Sequence, residues 1–183
     1  MNIGNEGLKD LCQIEFKELK ELNLIYNNIS DIKVLENVKF EKLEILSLGD
    51  NKISDINILE KVKFKELKEL YLNHNNISDI KVLENVKFEK LEKLYLNNNE
   101  ISDIKVLEKV KFEKLEKLNL SGNEIADINI LENVNFKELK ELYLSSNFIS
   151  DIKVLEKVKF EKLEMLDLRD KEIYINGYYS IIN

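Results

Sequence analysis

The two side chains best suited to nucleophilic or acid–base chemistry each occur once, as Cys12 and His74. A thiol and an imidazole can act together as nucleophile and base, but only within hydrogen-bond reach of each other. Cys12 lies upstream of a repeated pattern and His74 several repeats into it, which speaks against a pair. Neither a glycine-rich phosphate loop nor a CxxC pair is present, and a lone cysteine excludes an intramolecular disulfide. Carboxylates are abundant, and Asp31, Asp55, Asp79, Asp103, Asp127 and Asp151 recur at one spacing. Such a row could suggest metal ions. Calcium, however, draws its six to eight oxygens from one locality, whereas these aspartates stand a full repeat apart. Helix capping accounts for them more simply. No catalytic residue, metal or cofactor is expected.

Non-covalent recognition is the other chemistry these side chains could perform. Tyr71 and Tyr95 stand 24 residues apart, followed closely by Asn73 and His74, and by Asn97 and Asn98; Tyr143 comes two such intervals later. Tyrosine presents a large apolar face, a polar tip and little rotamer entropy, and it is enriched in binding hot spots. Its preference for strands is the plainer explanation. The expectation that both rings point away from the core favours recognition.

The 24-residue interval organises the whole chain. Phenylalanine recurs at Phe16, Phe40, Phe64, Phe88, Phe112, Phe136 and Phe160. After the first come Leu19, Leu22, Leu24, Asn27, Ile29, Ile32, Leu35 and Val38, and the fourth unit repeats the pattern from Leu91 to Val110. Leu22 and Leu24 alternate with exposed residues, the period of a strand. Ile32, Leu35 and Val38 follow at helical spacing after Ser30-Asp31, a pair suited to capping. Each unit is therefore a short strand, a turn and a short helix or 3₁₀ segment. One unit cannot bury its apolar side alone, but stacked units share a core. The strands must be parallel, because each is reached by a crossover of the same sense, and seven of them give a sheet roughly 30 Å wide.

The string LKELNLIYNNISDIKVL resembles the leucine-rich-repeat pattern LxxLxLxxN, and its continuation NxIxDIxxL is similar to the internalin and phosphatase-regulator branches of that family. The likeness covers about residues 16 to 173. It implies an α/β leucine-rich-repeat solenoid, with a parallel sheet on the concave face and short helices or 3₁₀ turns on the convex face, used mainly for protein recognition. The asparagines Asn27, Asn51, Asn75, Asn99, Asn123 and Asn147 are then structural. Buried, they can bond backbone groups at the turn leaving each strand. Lys171 stands in the seventh place.

One continuous domain is expected: an N-terminal helical half-repeat cap (1–15), seven repeats (16–171) and a C-terminal capping hairpin (172–183), so that the array looks complete at both ends. In the first segment Leu8, Leu11 and Ile14 match the Ile32, Leu35 and Val38 columns. In the last, Asn176-Gly177 between β-rich runs predicts a two-residue hairpin turn joining strands at about 172–175 and 178–181. Two charged columns run in opposite sense, Lys17/Glu41/Lys65/Glu89/Glu113/Lys137/Glu161 and Glu18/Lys42/Glu66/Lys90/Lys114/Glu138/Lys162. Stacking places opposite charges side by side at every interface except that between the fourth and fifth units. Exposed pairs contribute only about 0–1 kcal/mol each, so they tune register and solubility more than stability.

Where the units differ from one another is informative. The segments KVLENVK, KVLEKVK and INILENVN are nearly identical, whereas the exposed strand positions vary: Asn23, Ser47, Tyr71, Tyr95, Asn119, Tyr143 and Asp167, then Ile25, Gly49, Asn73, Asn97, Ser121, Ser145 and Arg169, then Tyr26, Asp50, His74, Asn98, Gly122, Ser146 and Asp170. The expected partner surface comprises Tyr71, Tyr95, Tyr143, Asn73, Asn97, His74, Asn98, Asn119, Ser47, Asn23, Asp167 and Arg169. Phe148 either extends it near Tyr143 or packs on a neighbouring turn. The net charge of −7 with interleaved lysine and glutamate gives no basic footprint for nucleic acid or an anionic membrane. No apolar run reaches the ~18 residues of a membrane span. The expectation is a monomeric protein-binding scaffold, placed in the cytoplasm by the absence of a signal-like start, or at the surface if a leader has been removed. The alternatives are a structural or assembly role and a consensus-like array with no dedicated ligand.

Overall fold

The computed structural model describes residues 2–169 together with 173–175 and 178–180. In each unit the leucine–exposed–leucine alternation gives a three-residue strand: β1 (Glu21–Asn23), β2 (Ile45–Ser47), β3 (Glu69–Tyr71), β4 (Lys93–Tyr95), β5 (Lys117–Asn119), β6 (Glu141–Tyr143) and β7 (Met165–Asp167). They are hydrogen-bonded in chain order as one sheet. Pairing is parallel, and Leu46, Leu70, Leu94 and Leu118 face one another across successive strands. The register thus follows the 24-residue repeat without slippage.

Each of β1 to β6 is followed by a turn and a short 3₁₀ segment, the first at Lys33–Asn37 and the last at Lys153–Glu156. The aspartate column opens these segments: Asp31 Oδ1 accepts the Lys33 N–H and Asp103 Oδ1 that of Lys105, each at 2.9 Å. The cap therefore comes from the residue before the flanking isoleucine, through an i to i+2 bond. Leucines of the strands, isoleucines of the turn and the phenylalanines Phe40, Phe64, Phe88, Phe112 and Phe136 fill the interior, while Phe16 at its N-terminal end is exposed; Leu46, Leu48, Ile53, Leu59 and Leu67 have no exposed surface.

The asparagine column runs through this interior. Asn51 Nδ2 donates to the carbonyls of Leu24, Leu48 and Gly49, and its Oδ1 accepts the Ile29 N–H. Asn75, Asn99, Asn123 and Asn147 repeat the pattern. Each side chain joins two neighbouring units through backbone groups that water does not reach.

At the N-terminus helix α1 (Gly4–Cys12) lies against the first repeat, tied to it by Gly4 N–H donating to Asn27 O at 3.0 Å. Leu8 is fully buried and Leu11 partly so, whereas Ile14, the third residue matched to the repeat columns, is 53% exposed. The helix ends at Cys12, so Ile14 lies beyond the turns that pack on the array. Strands β8 (Ile173–Ile175) and β9 (Tyr178–Ser180) pair antiparallel with Ile175 opposite Tyr178. The expected turn residues Asn176 and Gly177 lie outside the described residues, as do Asp170 and Lys171. No helix among the described residues is long and apolar enough to cross a membrane.

The inverse charge columns form ion pairs between the first and second, third and fourth, and sixth and seventh units, as Glu18–Lys42, Glu66–Lys90 and Glu138–Lys162, at 2.5–2.6 Å. A neighbouring column adds Lys20–Glu44–Lys68 and Glu116–Lys140.

Candidate functional site on the outward face of the sheet

Within each strand the leucine points inward, so the residues on either side of it share the outward face. On this face Tyr71 and Tyr95 stack, with ring centroids 4.5 Å apart and planes 7° from parallel. Direct pairing in register, Tyr71 opposite Tyr95, creates the stack. Both rings are half-buried.

The other outward column, Glu69, Lys93, Lys117 and Glu141, was not singled out from the sequence, although its place two residues before each tyrosine column position marks it for the same face. It holds the tyrosines in place. Tyr71 donates its hydroxyl to Glu69 Oε2 at 2.5 Å, and Lys93 Nζ reaches Glu69 Oε1 at 2.9 Å. Tyr143 donates to Glu141 Oε2 at 2.7 Å, and Lys117 Nζ lies 2.6 Å from the same carboxylate. The Lys117 ammonium also sits 4.8 Å from the Tyr143 ring centroid and 5.6 Å from that of Tyr95.

These contacts shift ionisation in consistent directions. Burial, then the bond to Glu69, pushes the Tyr71 phenol well above its ordinary value. Burial would raise the Glu69 carboxyl, but the bonds from Tyr71 and Lys93 leave it below the usual glutamate range. The lysine and tyrosine bonds lower Glu141 likewise. Burial works to lower Lys117, and pairing with Glu141 outweighs it. At neutral pH the face carries fixed, mutually compensating charges.

Around this centre lie the remaining predicted residues. Asn73, Asn97 and Asn119 are half-buried; Asn119 Oδ1 accepts the Ser121 N–H at 3.0 Å. Asn23 is exposed and makes the same local bond to the Ile25 N–H. Ser145 donates to Ser121 Oγ at 2.9 Å. Asp167 is buried and grips Arg169 with both oxygens, at 2.9 and 2.8 Å. Ser47 is also buried. His74 and Asn98 are exposed at the edge, Nε2 and Nδ2 being 3.1 Å apart. Both belong to a column in the left-handed backbone region, Tyr26, Asp50, His74, Asn98, Gly122 and Ser146, with φ between 52° and 66°. Phe148 is 61% exposed. Cys12 sits in α1, away from these strands, and burial raises its thiol to about 11, which leaves it protonated at neutral pH. Among the described residues no group of three or more histidine, cysteine or carboxylate side chains is placed to hold a metal ion.

The model of a leucine-rich-repeat family, described as "Leucine Rich repeats (2 copies)", matches residues 17–61, 65–109, 89–133 and 113–157. The chain belongs to the leucine-rich-repeat family. Its fold is similar to that of internalin C2 of Listeria monocytogenes, with a TM-score of 0.70 and 26% identity over 96% of this chain and 72% of the other. It is also similar to an internalin F of the same organism, with TM-score 0.65 and 26% identity over 90% of this chain and 51% of the other. A leucine-rich-repeat protein of Leptospira interrogans shares the fold, with TM-score 0.67 and 24% identity over 89% and 40%. No curated protein matches the chain. Leucine-rich-repeat proteins generally mediate protein–protein interaction, and the fold is typically that of a non-enzymatic scaffold.

Proposed function

We propose that this leucine-rich-repeat chain binds another protein on the outward, concave face of its sheet. The Tyr71–Tyr95 stack carries the reading. Two half-exposed aromatic rings are held parallel, and the Tyr71 hydroxyl is anchored on Glu69. Rings fixed in advance lose little further freedom on binding, so more of the contact energy appears as affinity. Tyr143 extends the surface, and Asn73, Asn97, Asn119, Asn23, His74, Asn98 and Arg169 form a polar rim, the usual composition around a hot spot. Ser47 and Asp167, being buried, flank the surface in register with Tyr71 and Tyr143 and offer a partner little area of their own.

The test compares three immobilised proteins in an extract of the source cells: the unaltered chain, the double variant Tyr71→Ala/Tyr95→Ala, and a convex control, Lys81→Ala/Lys105→Ala. Circular dichroism confirms that all three fold. A partner of the sheet face is retained by the first and third and lost from the second. Equal retention of the same protein by the tyrosine variant overturns the proposal.

A further inference from the structure

Across β4, β5 and β6 the last strand position reads Tyr95, Asn119, Tyr143. A short side chain between two tyrosines leaves a slot spanning two strand spacings, about 9.6 Å, room for one group between two ring faces. Lys117 occupies it. Its ammonium stands 5.6 Å from one ring centroid and 4.8 Å from the other, with Glu141 at 2.6 Å as counter-ion. Asn119 beneath has its oxygen committed to the Ser121 N–H. Two aromatic faces and a carboxylate are the elements by which proteins recognise cations.

We infer that the Tyr95–Tyr143 slot receives an arginine side chain of the protein partner, and that Lys117 is a tethered group keeping the slot filled in the free protein. This rests on the reading of the sheet face as the partner surface. The exchange has a physical direction. A guanidinium is planar, stacks on aromatic rings and can take both oxygens of Glu141, whereas an ammonium is a point charge that is more strongly hydrated. Arginine in the slot with lysine in water is therefore the better arrangement. The Lys117 side chain is 23% exposed and carries its charge on a flexible four-carbon stem, so a rotamer change suffices to release it. The chain's net charge of −7 favours approach of a basic partner. An acidic group would instead have to compete with Glu69 and Glu141 for ammonium groups already paired at 2.9 and 2.6 Å.

The experiment uses the isotope-labelled full chain and follows backbone amide shifts while N-acetyl-arginine amide is added, with N-acetyl-citrulline amide as the uncharged isostere. The expected result is saturable shifts centred on Tyr95, Asn119 and Tyr143 with the arginine probe and none with citrulline. Binding should tighten about tenfold in Lys117→Ala and Lys117→Met, which remove the competing ammonium, and should be lost in Glu141→Gln. Lys117→Met keeps the packing of the stem if the alanine variant folds poorly. The inference is overturned if neither the unaltered chain nor Lys117→Met shows saturable shifts, or if citrulline amide shifts the same residues equally. Its failure is separable from that of the proposed function. Loss of a captured partner from Tyr71→Ala/Tyr95→Ala without arginine binding defeats the slot alone. Arginine binding with capture unaffected by those substitutions defeats the partner surface.

Discussion

The side-chain oxygen of Asn99 accepts the backbone N–H of Ile77, a residue of the preceding unit, at 3.0 Å. Its nitrogen donates to the carbonyls of Leu72 and Leu96, also at 3.0 Å. One buried carboxamide thus satisfies three backbone groups drawn from two units. Asn99→Ala strands the Ile77 N–H, at about 1–3 kcal/mol, and removes one of two donors from each carbonyl, since Leu72 O also accepts from Asn75 and Leu96 O from Asn123, at about 0.5–1.5 kcal/mol per lost bond. With partial relaxation the expected loss is about 2–4 kcal/mol, read from the midpoint of urea unfolding. Asn99→Asp should be worse at neutral pH, since a carboxylate has nothing to donate to two carbonyls. A loss below about 0.5 kcal/mol in the alanine variant would mean that water replaces the carboxamide.

The column after β1 to β6 adopts the left-handed conformation whatever residue stands there. Gly122, at φ 66°, is the one position in the column free of strain, and a Cβ added there would lie 2.3 Å from Asn98 Oδ1. Gly122→Ala is expected to destabilise by about 1–2 kcal/mol. Tyr26 has φ 59° and is 73% exposed, so its ring contributes little burial to offset the strain. Tyr26→Gly should therefore stabilise, by up to about 1 kcal/mol. Thermal unfolding of the two variants reads both signs, and a destabilised Tyr26→Gly would contradict the strain argument.

These two cases show what was legible in the residues themselves and what was not. The strand, the turn and the asparagine ladder follow from leucine and asparagine spacing alone, because burial and backbone satisfaction act identically in every unit. The left-handed column shows in the sequence only as variable, since tyrosine, aspartate, histidine and serine give no common signal for positive φ; stacking on neighbouring units imposes it. The residues of the Glu69–Lys93 and Lys117–Glu141 pairs look like ordinary surface charge until the register sets them beside the tyrosines. The burial of Ser47 and Asp167 likewise depends on the size of the side chains stacked around them, which repeat spacing does not reveal.

The ion-pair ladder predicts how stability depends on pH. Glu44 lies between Lys68 at 2.6 Å and Lys20 at 3.0 Å. Hydrogen bonds from Lys68, then Lys20, hold its carboxyl at about 2 against an ordinary 4.5. The bond from Arg169 holds Asp167 at about 2 as well. A carboxyl lowered in the folded state contributes stability above its ordinary value and loses it as pH falls through the folded one. The raised lysines, such as Lys68, lose theirs only in strong alkali. Stability should be level through neutral pH and fall from about pH 4.5 toward about 2. Glu44→Gln should make that fall shallower, and high salt should do the same, since these pairs are partly exposed. Denaturant midpoints from pH 7 to 2.5 check it; an unchanged slope in Glu44→Gln would remove this residue from the account.

The Tyr71–Tyr95 stack makes the most direct prediction about the binding face. Offset-stacked rings contribute about 0.5–1.5 kcal/mol beyond the area they bury. A double-mutant cycle with Tyr71→Leu, Tyr95→Leu and the pair should return a coupling energy in that range, because leucine keeps the apolar cover while removing the ring–ring term. Tyr71→Phe separates the remaining contribution. It keeps the stack and deletes the hydroxyl bond to Glu69, whose carboxylate stays paired with Lys93 at 2.9 Å, so the loss should be only about 0.5–1.5 kcal/mol. The two measurements together decide whether the face is ordered before any partner arrives. A coupling near zero would mean that the rings move independently, and a partner would then have to order both, at about 0.5–1.5 kcal/mol per side chain. A coupling at the upper end means that binding spends none of its energy there, and that Tyr95→Leu weakens binding by disordering Tyr71 as well as by losing its own contact.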